Sequence, residues 1–476
     1  MVDKSSSAIE ASDFYTLYEC NRKVYLNHHG DPARQVDPDS FDEFLREQGI
    51  AYEADVVGTL EVEIPAYTPG DLQAGYQATL SLMQSGVALI YQGVLIGAEM
   101  EGLPDLLIRV DGPSDLGDYH YEPIDIKRST KIKDAYRLQL MLYMLLLEKA
   151  QGLRPKGRLF LRPPKDHQGE ALYVEERIDF DWELFNSKFA ELAALVRGEV
   201  EPDPFQASIC KGCVWRNICL PQVERTQDIS LITGLKRSTW EDLRERGWRT
   251  LSDVADLDPM QLTSIKGVGS KTAERLVFQA RALVRNEPVQ VTPIPLQPSR
   301  KAIFFDIEGV PTEGIVYLLG TSTRRGNRLR YTYNLAQTPA QEEAMWRAFL
   351  ERMNDTEGPI FHFGAFEKTT LRQLDERFGP DPRTAPLLRR LVDLEKIIKN
   401  CLYLPLTSYS LKQVAPWLGF EWGKSQVKTG SDSIQIYTEW SKTGDPALLD
   451  AILRYNEDDC QATAFIYDWL LTLELA

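Results

Sequence analysis

Apolar and polar positions divide the chain into three stretches of different rhythm. Residues 41–57 (FDEFLREQGIAYEADVV) carry a helical pattern. Residues 106–110 (LLIRV) form a short apolar run that predicts a strand, and Asp111-Gly112 predicts a turn. A second strand is predicted over 121–127 (YEPIDIK), followed by a helix carrying Gln139 and Tyr143. The middle of the chain is helical throughout. Past Pro288–Arg300 the pattern changes again. KAIFFDIEG, IVYLLGTST and LRYTYNL predict strands, and QEEAMWRAFLERM predicts an amphipathic helix. PIFHFGAFEKTTLRQL reads as a strand running into a helix, and RYNEDDCQATAFIYDWLLTLE as a closing helix. The expectation is an α/β multidomain protein with a small all-α segment between two strand-containing parts.

Composition narrows this picture. A length of 476 residues predicts two to four domains, and 43% apolar with 26% charged residues is the balance of a soluble globular chain. The net charge of −16 argues against a polycation that coats nucleic acid, but not against a nuclease whose carboxylates hold metals. No apolar run reaches the ~18 residues of a membrane span. The first twenty residues have no signal-peptide core, so a cytoplasmic protein without membrane partners is expected. The expected domains are 1–222, 226–287 and 301–476. The four-proline run 288–300 is a stiff linker between the last two.

Candidate chemistry lies in each part. Asp125 and Lys127, two apart on a strand, share a face, as do Gln139 and Tyr143, four apart on a helix. On these residues alone, an edge strand with a surface ion pair explains the pattern better than a site. Asp105, just before the first strand of the predicted hairpin, changes that: two carboxylates brought together bind a hard cation such as Mg²⁺, with Lys127 assisting at a scissile phosphate. Cys210, Cys213 and Cys219 cluster, and Cys20 stands far upstream. Four thiolates suit Zn²⁺ or an iron–sulfur cluster. Gly267 and Gly269 make a tight turn flanked by Lys266 and Lys271, with Ser270 opening a helix that aims backbone N–H groups at a phosphate. Residues 225–287 hold 11 Lys/Arg against 9 Asp/Glu, a relatively basic island. Asp306 and Glu308 share one strand face, and Tyr455 and Asp459 one helix face. Burying two acids on a strand is costly unless a metal neutralises them.

These motifs resemble known families. Glu53, Gly102-x-x-Asp105, Asp125-x-Lys127 and Gln139-x-x-x-Tyr143 resemble the PD-(D/E)XK nucleases of the RecB type. Tyr52 precedes Glu53 where that family often has a histidine ligand. The resemblance implies metal binding by Glu53, Asp105 and Asp125. The cysteine spacing is similar to that of iron-staple nucleases, which implies a 4Fe–4S cluster on Cys20, Cys210, Cys213 and Cys219, with Zn²⁺ as the alternative. Residues 265–276 resemble a helix–hairpin–helix motif, with Leu231–Leu235 as a degenerate partner. Asp306-x-Glu308, Phe366-Glu367 and Tyr455-x-x-x-Asp459 resemble the three blocks of DEDD 3′–5′ exonucleases on an RNase H-like fold, with Glu367 where the family usually has aspartate. That likeness implies Mg²⁺ or Mn²⁺ on Asp306, Glu308, Glu367 and Asp459. The whole layout resembles predicted RecB-family nucleases acting on DNA, with RNA exonuclease and repair or CRISPR accessory roles as alternatives. The 476 residues contain no P-loop, so any helicase is expected to act in trans.

Overall fold

The computed structural model describes residues 8–38, 40–164, 171–311, 314–326, 328–423 and 429–474. The chain divides into two compact units, residues 1–222 and 223–476.

The first unit is built on a five-stranded mixed sheet in the order 89–91, 106–114, 117–127, 157–161, 174–178. Strands 106–114 and 117–127 pair antiparallel, with Leu106 opposite Ile124. Strand 157–161 joins parallel, with Asp125 opposite Leu159. A parallel neighbour needs a crossover, and the helix Asp134–Gln151 supplies it. Leu138, Leu140, Met141, Leu142, Met144 and Leu147 of that helix are fully buried, because sheet and helices surround it. It ends at Gly152, whose φ of +68° takes the left-handed conformation that closes helices. The helix Ala11–Glu19 packs Phe14 into the same core, 5.6 Å from Phe185.

The second unit holds both the helical segment and the C-terminal sheet. Its sheet runs 328–335, 315–325, 303–310, 360–362, 391–393. Strand 315–325 pairs antiparallel with both of its neighbours, 328–335 and 303–310, and the last two strands run parallel to 303–310. A register shift between Glu308 and Gly309 bends the central strand just past its acids. The helix Pro446–Glu474 packs along strand 303–310. Residues 288–300 are extended, as their prolines predict, but they are packed rather than free. Val289–Gln290 pairs antiparallel with Leu402–Tyr403, and Ile294 and Leu296 are buried with Phe304, Leu394 and Leu404. The helical segment is tied to the same elements. Gln279 Nε2 donates to the Leu406 carbonyl at 2.9 Å, and Phe278 lies 5.8 Å from the Tyr403 ring. The apolar positions interleaved with the prolines decide the outcome, because burying them outweighs the cost of fixing an already stiff segment.

Candidate active sites and the cysteine cluster

In the first unit, period-two geometry brings Asp125 and Lys127 to one face, and Lys127 Nζ lies 2.7 Å from Asp125 Oδ2. Asp105 sits at the start of the neighbouring strand, and its Oδ2 accepts the Ile126 N–H at 2.6 Å. Loss of hydration, then the Asp125 charge, holds the Asp105 carboxyl well above the usual carboxylate range. Lys127 is pulled down by burial, but Asp125 and Asp105 outweigh this and raise it. Asp125 is 1% exposed, and neither of its oxygens receives a hydrogen bond of good geometry. A buried carboxylate in that state is the donor set a hard cation requires.

Glu53, on the helix Ser40–Val57, belongs to the same electrostatic group, since its charge raises Asp105. Its Oε1 accepts the Tyr91 hydroxyl at 2.9 Å, so a tyrosine from strand 89–91 orients it. Gln139 Nε2 donates to the Tyr143 hydroxyl at 3.0 Å, and that hydroxyl donates to the Leu103 carbonyl at 3.2 Å. Both side chains line a cavity with Gly102 and Leu103. A Cβ on Gly102 would stand 2.5 Å from Tyr143 Cε1, which gives this glycine a steric role.

The four cysteines Cys20, Cys210, Cys213 and Cys219 converge on one pocket, lined also by Leu26, Phe205 and Trp215. They are free thiols. Burial pushes Cys210, Cys213 and Cys219 up, while the N–H groups of Ala207 and Trp215 and the Arg22 guanidinium work against it at the respective sulfurs. Donors aimed at sulfur are the environment a ligated thiolate needs. Cys401 and Cys460 are buried elsewhere.

In the second unit, Lys266, Gly267, Gly269, Ser270 and Lys271 are all exposed, while Ile265 and Val268 anchor the turn in the core. Gly267 takes φ +81°, a conformation that glycine favours. The helix Ser270–Arg285 starts directly after the turn. Gly234 (φ +67°), within Leu231–Leu235, makes a second such turn before the helix Arg237–Glu245.

The C-terminal centre is the most concentrated. Oxygens of Asp306, Glu308 and Asp459 all lie within 4.8 Å of one another; among the described residues, no other group of three His, Cys, Asp or Glu ligand atoms does so. Burial and mutual repulsion hold Asp306 well above its usual range and push Glu308 up to about 8. Asp459 is raised by burial against the opposing pull of Lys412. Tyr455 is 3% exposed, hydrogen-bonds Asp459, and is raised by burial and by the three acids, so its hydroxyl keeps its proton. Hard oxygen ligands that repel one another fit a divalent cation. Glu367 is adjacent but differently engaged: its Oε2 lies 3.2 Å from His362 Nδ1, with both residues buried. Asp393 caps the helix Leu394–Cys401 and accepts the Gly364 N–H, so it serves the backbone.

Several residues of this centre lie outside the motifs. Asn456 Nδ2 donates to Asp306 Oδ2 at 2.7 Å, and its Oδ1 accepts the Tyr331 hydroxyl at 2.8 Å. Gly320, opposite Asp306 in the sheet, leaves the space that the Asn456 amide occupies. Lys412 contacts Asp459 Oδ1, and Trp422 Nε1 donates to the same oxygen at 2.6 Å. Asn456 is legible in principle, since it follows Tyr455 on the same helix. Lys412 and Trp422 carry no local signal.

Comparison with known families yields three matches along the chain. Residues 34–220 match the PD-(D/E)XK nuclease superfamily, residues 228–282 the SAM-like helix-hairpin-helix tandem, and residues 303–471 the RNase_H superfamily. No curated protein matches the chain. No helix among the described residues is long and apolar enough to cross a membrane. The chain therefore carries, in this order, a PD-(D/E)XK nuclease superfamily domain, a helix-hairpin-helix tandem and an RNase_H superfamily domain.

Proposed function

We propose that this nuclease acts on DNA ends or single strands, and that its C-terminal centre removes nucleotides from 3′ ends. The observation that carries the reading is the convergence of Asp306, Glu308 and Asp459 beside the protonated Tyr455 hydroxyl. Mg²⁺ or Mn²⁺ bound there supplies activation of water and charge stabilisation at the phosphate. Asp306, Glu308 and Asp459 hold it, with Glu367 as an outer acid. Asn456 fixes the orientation of Asp306, and Tyr455 is placed to orient the attacking water. At the N-terminal centre, Glu53, Asp105 and Asp125 are the ligands. Lys127 faces the phosphate, and Gln139 and Tyr143 line the approach. Lys266, Gly267, Gly269, Ser270 and Lys271 hold the backbone phosphates.

Matched 5′-labelled DNA and RNA strands with Mn²⁺ test the substrate. Shortening of DNA from its 3′ end is expected. Degradation of RNA alone would assign the second reading, an RNA exonuclease. DNA retained in a gel shift but never cut would make the chain an accessory protein for repair or CRISPR systems, with partners, a helicase included, supplied in trans.

For the cysteines we propose a 4Fe–4S cluster that closes the first unit on itself. Cys20 is nearly two hundred residues from the triplet, so one clip removes a large loop-closure entropy. The four thiols lining one pocket support the reading, and the triplet Cys210, Cys213, Cys219 with the distant Cys20 is the spacing that favours it over zinc. Anaerobically purified protein should be brown and lose iron and colour together in Cys213→Ser. Colourless protein with stoichiometric zinc would refute the cluster.

A further inference from the structure

Lys412 reaches the C-terminal acids from the helix Leu411–Trp417, 47 residues before Asp459 in the chain. Its ammonium contacts Asp459 Oδ1 and is held between two aromatic faces, 4.1 Å from the Tyr455 ring and 4.2 Å from the Trp422 ring. Two rings and a carboxylate position this cation, although its side chain remains 31% exposed. Its charge also acts on Asp306 and Glu308. The fourth acid, Glu367, is occupied by His362, with both groups buried. The triad thus offers oxygens for one ion. Oδ1 of Asp459, an oxygen that could serve a second ion, is contacted by the ammonium instead.

We propose that the C-terminal centre binds one divalent ion and that the Lys412 ammonium takes the place of a second. The electrostatic argument is direct. Three clustered carboxylates carry three negative charges, and one divalent ion with one ammonium compensates them in full. Two divalent ions with Lys412 still in place would overcharge the site. Oδ1 of Asp459 already takes two donors, Lys412 and Trp422, and so is poorly available to bridge two ions. The proposal rests on the reading of Asp306, Glu308 and Asp459 as a metal centre, and its test separates the two claims.

Mn²⁺ is titrated by calorimetry and by the loss of the free-ion EPR signal, in full-length protein carrying Asp125→Asn to silence the N-terminal centre. One Mn²⁺ per chain is expected in this parent, none after adding Asp306→Asn, one with Lys412→Arg, and a second, weaker one with Lys412→Met. The Arg variant controls for loss of packing between the rings, since it keeps both bulk and charge. Two ions in the parent would overturn the proposal. One ion in both the parent and Lys412→Met would also overturn it, because the ammonium would then not be what fills the second position. No ion in the parent would instead defeat the metal-centre reading on which it rests.

Discussion

Glu308 gives the sharpest prediction. Burial, then the Asp459 charge, pushes its carboxyl up to about 8 from an ordinary 4.5, against hydrogen bonds from Ser433 and Asn456. In metal-free protein the folded state keeps a proton on Glu308 that the unfolded chain releases near 4.5. Between pH 4.5 and about 8 the folded state binds more protons, so its stability falls as pH rises through that window. The distance from 4.5 to about 8 corresponds to roughly 5 kcal/mol, an upper bound for a group that titrates together with Asp306 and Asp459. Metal binding requires the carboxylate, so it must displace this proton. Apparent Mn²⁺ affinity should therefore rise about tenfold per pH unit up to about pH 8 and then level off. From pH 6.5 to 8 the gain is on the order of 15-fold, since half the groups are still protonated at pH 8, and larger where Asp306 releases a proton as well. The assay is calorimetry in buffers of different ionisation enthalpy, which counts protons released per ion bound. Glu308→Gln should abolish both the binding and the proton release. An affinity that stays flat from pH 6.5 to 8, with no proton release, would refute the assignment of Glu308 as a protonated buried ligand.

Three further outcomes follow from contacts in the two units. Gly320→Ala places a methyl where the Asn456 amide lies. It should cost the hydrogen bond to Asp306, worth about 1.5–3 kcal/mol for a charged acceptor, and weaken Mn²⁺ binding at least tenfold. Unchanged binding would show that Asn456 does not position Asp306. Gly102→Ala drives a methyl against the Tyr143 ring and should destabilise the first unit by about 1–3 kcal/mol, visible as a lowered thermal transition. A transition that does not move would remove the steric reason for that glycine. Replacing Lys266 and Lys271 together by glutamate should weaken DNA binding uniformly across sequences and flatten the salt dependence by about two phosphate contacts. An unaltered salt slope would place the DNA contact elsewhere.

Much of each centre is legible because strand and helix periodicities fix which side chains share a face. Asp125 with Lys127, Asp306 with Glu308, and Tyr455 with Asp459 are all brought together in this local way. Periodicity does not say what a face meets. Asn456 reaches Asp306 across 150 residues of chain, and Trp422 reaches Asp459 across 37. These pairings depend on how helices dock onto the sheet, and no short window encodes them. Glu367 illustrates the same limit: its place after Phe366 marks it as a ligand candidate, yet the pairing with His362 depends on the short strand Ile360–His362 ending beside it. Residues 288–300 show composition and packing acting separately. Their prolines set an extended backbone, while Ile294 and Leu296 find a core that composition does not reveal.

The central claim is that this chain cuts nucleic acid through two separate carboxylate centres. It is tested most directly by following 5′-labelled DNA with Mn²⁺ in the wild type, Asp125→Ala, Asp306→Ala and the double variant. Each single variant should lose a different part of the product pattern, with stepwise 3′ shortening absent from Asp306→Ala, and the double variant should be inert. Full activity in the double variant would contradict the account.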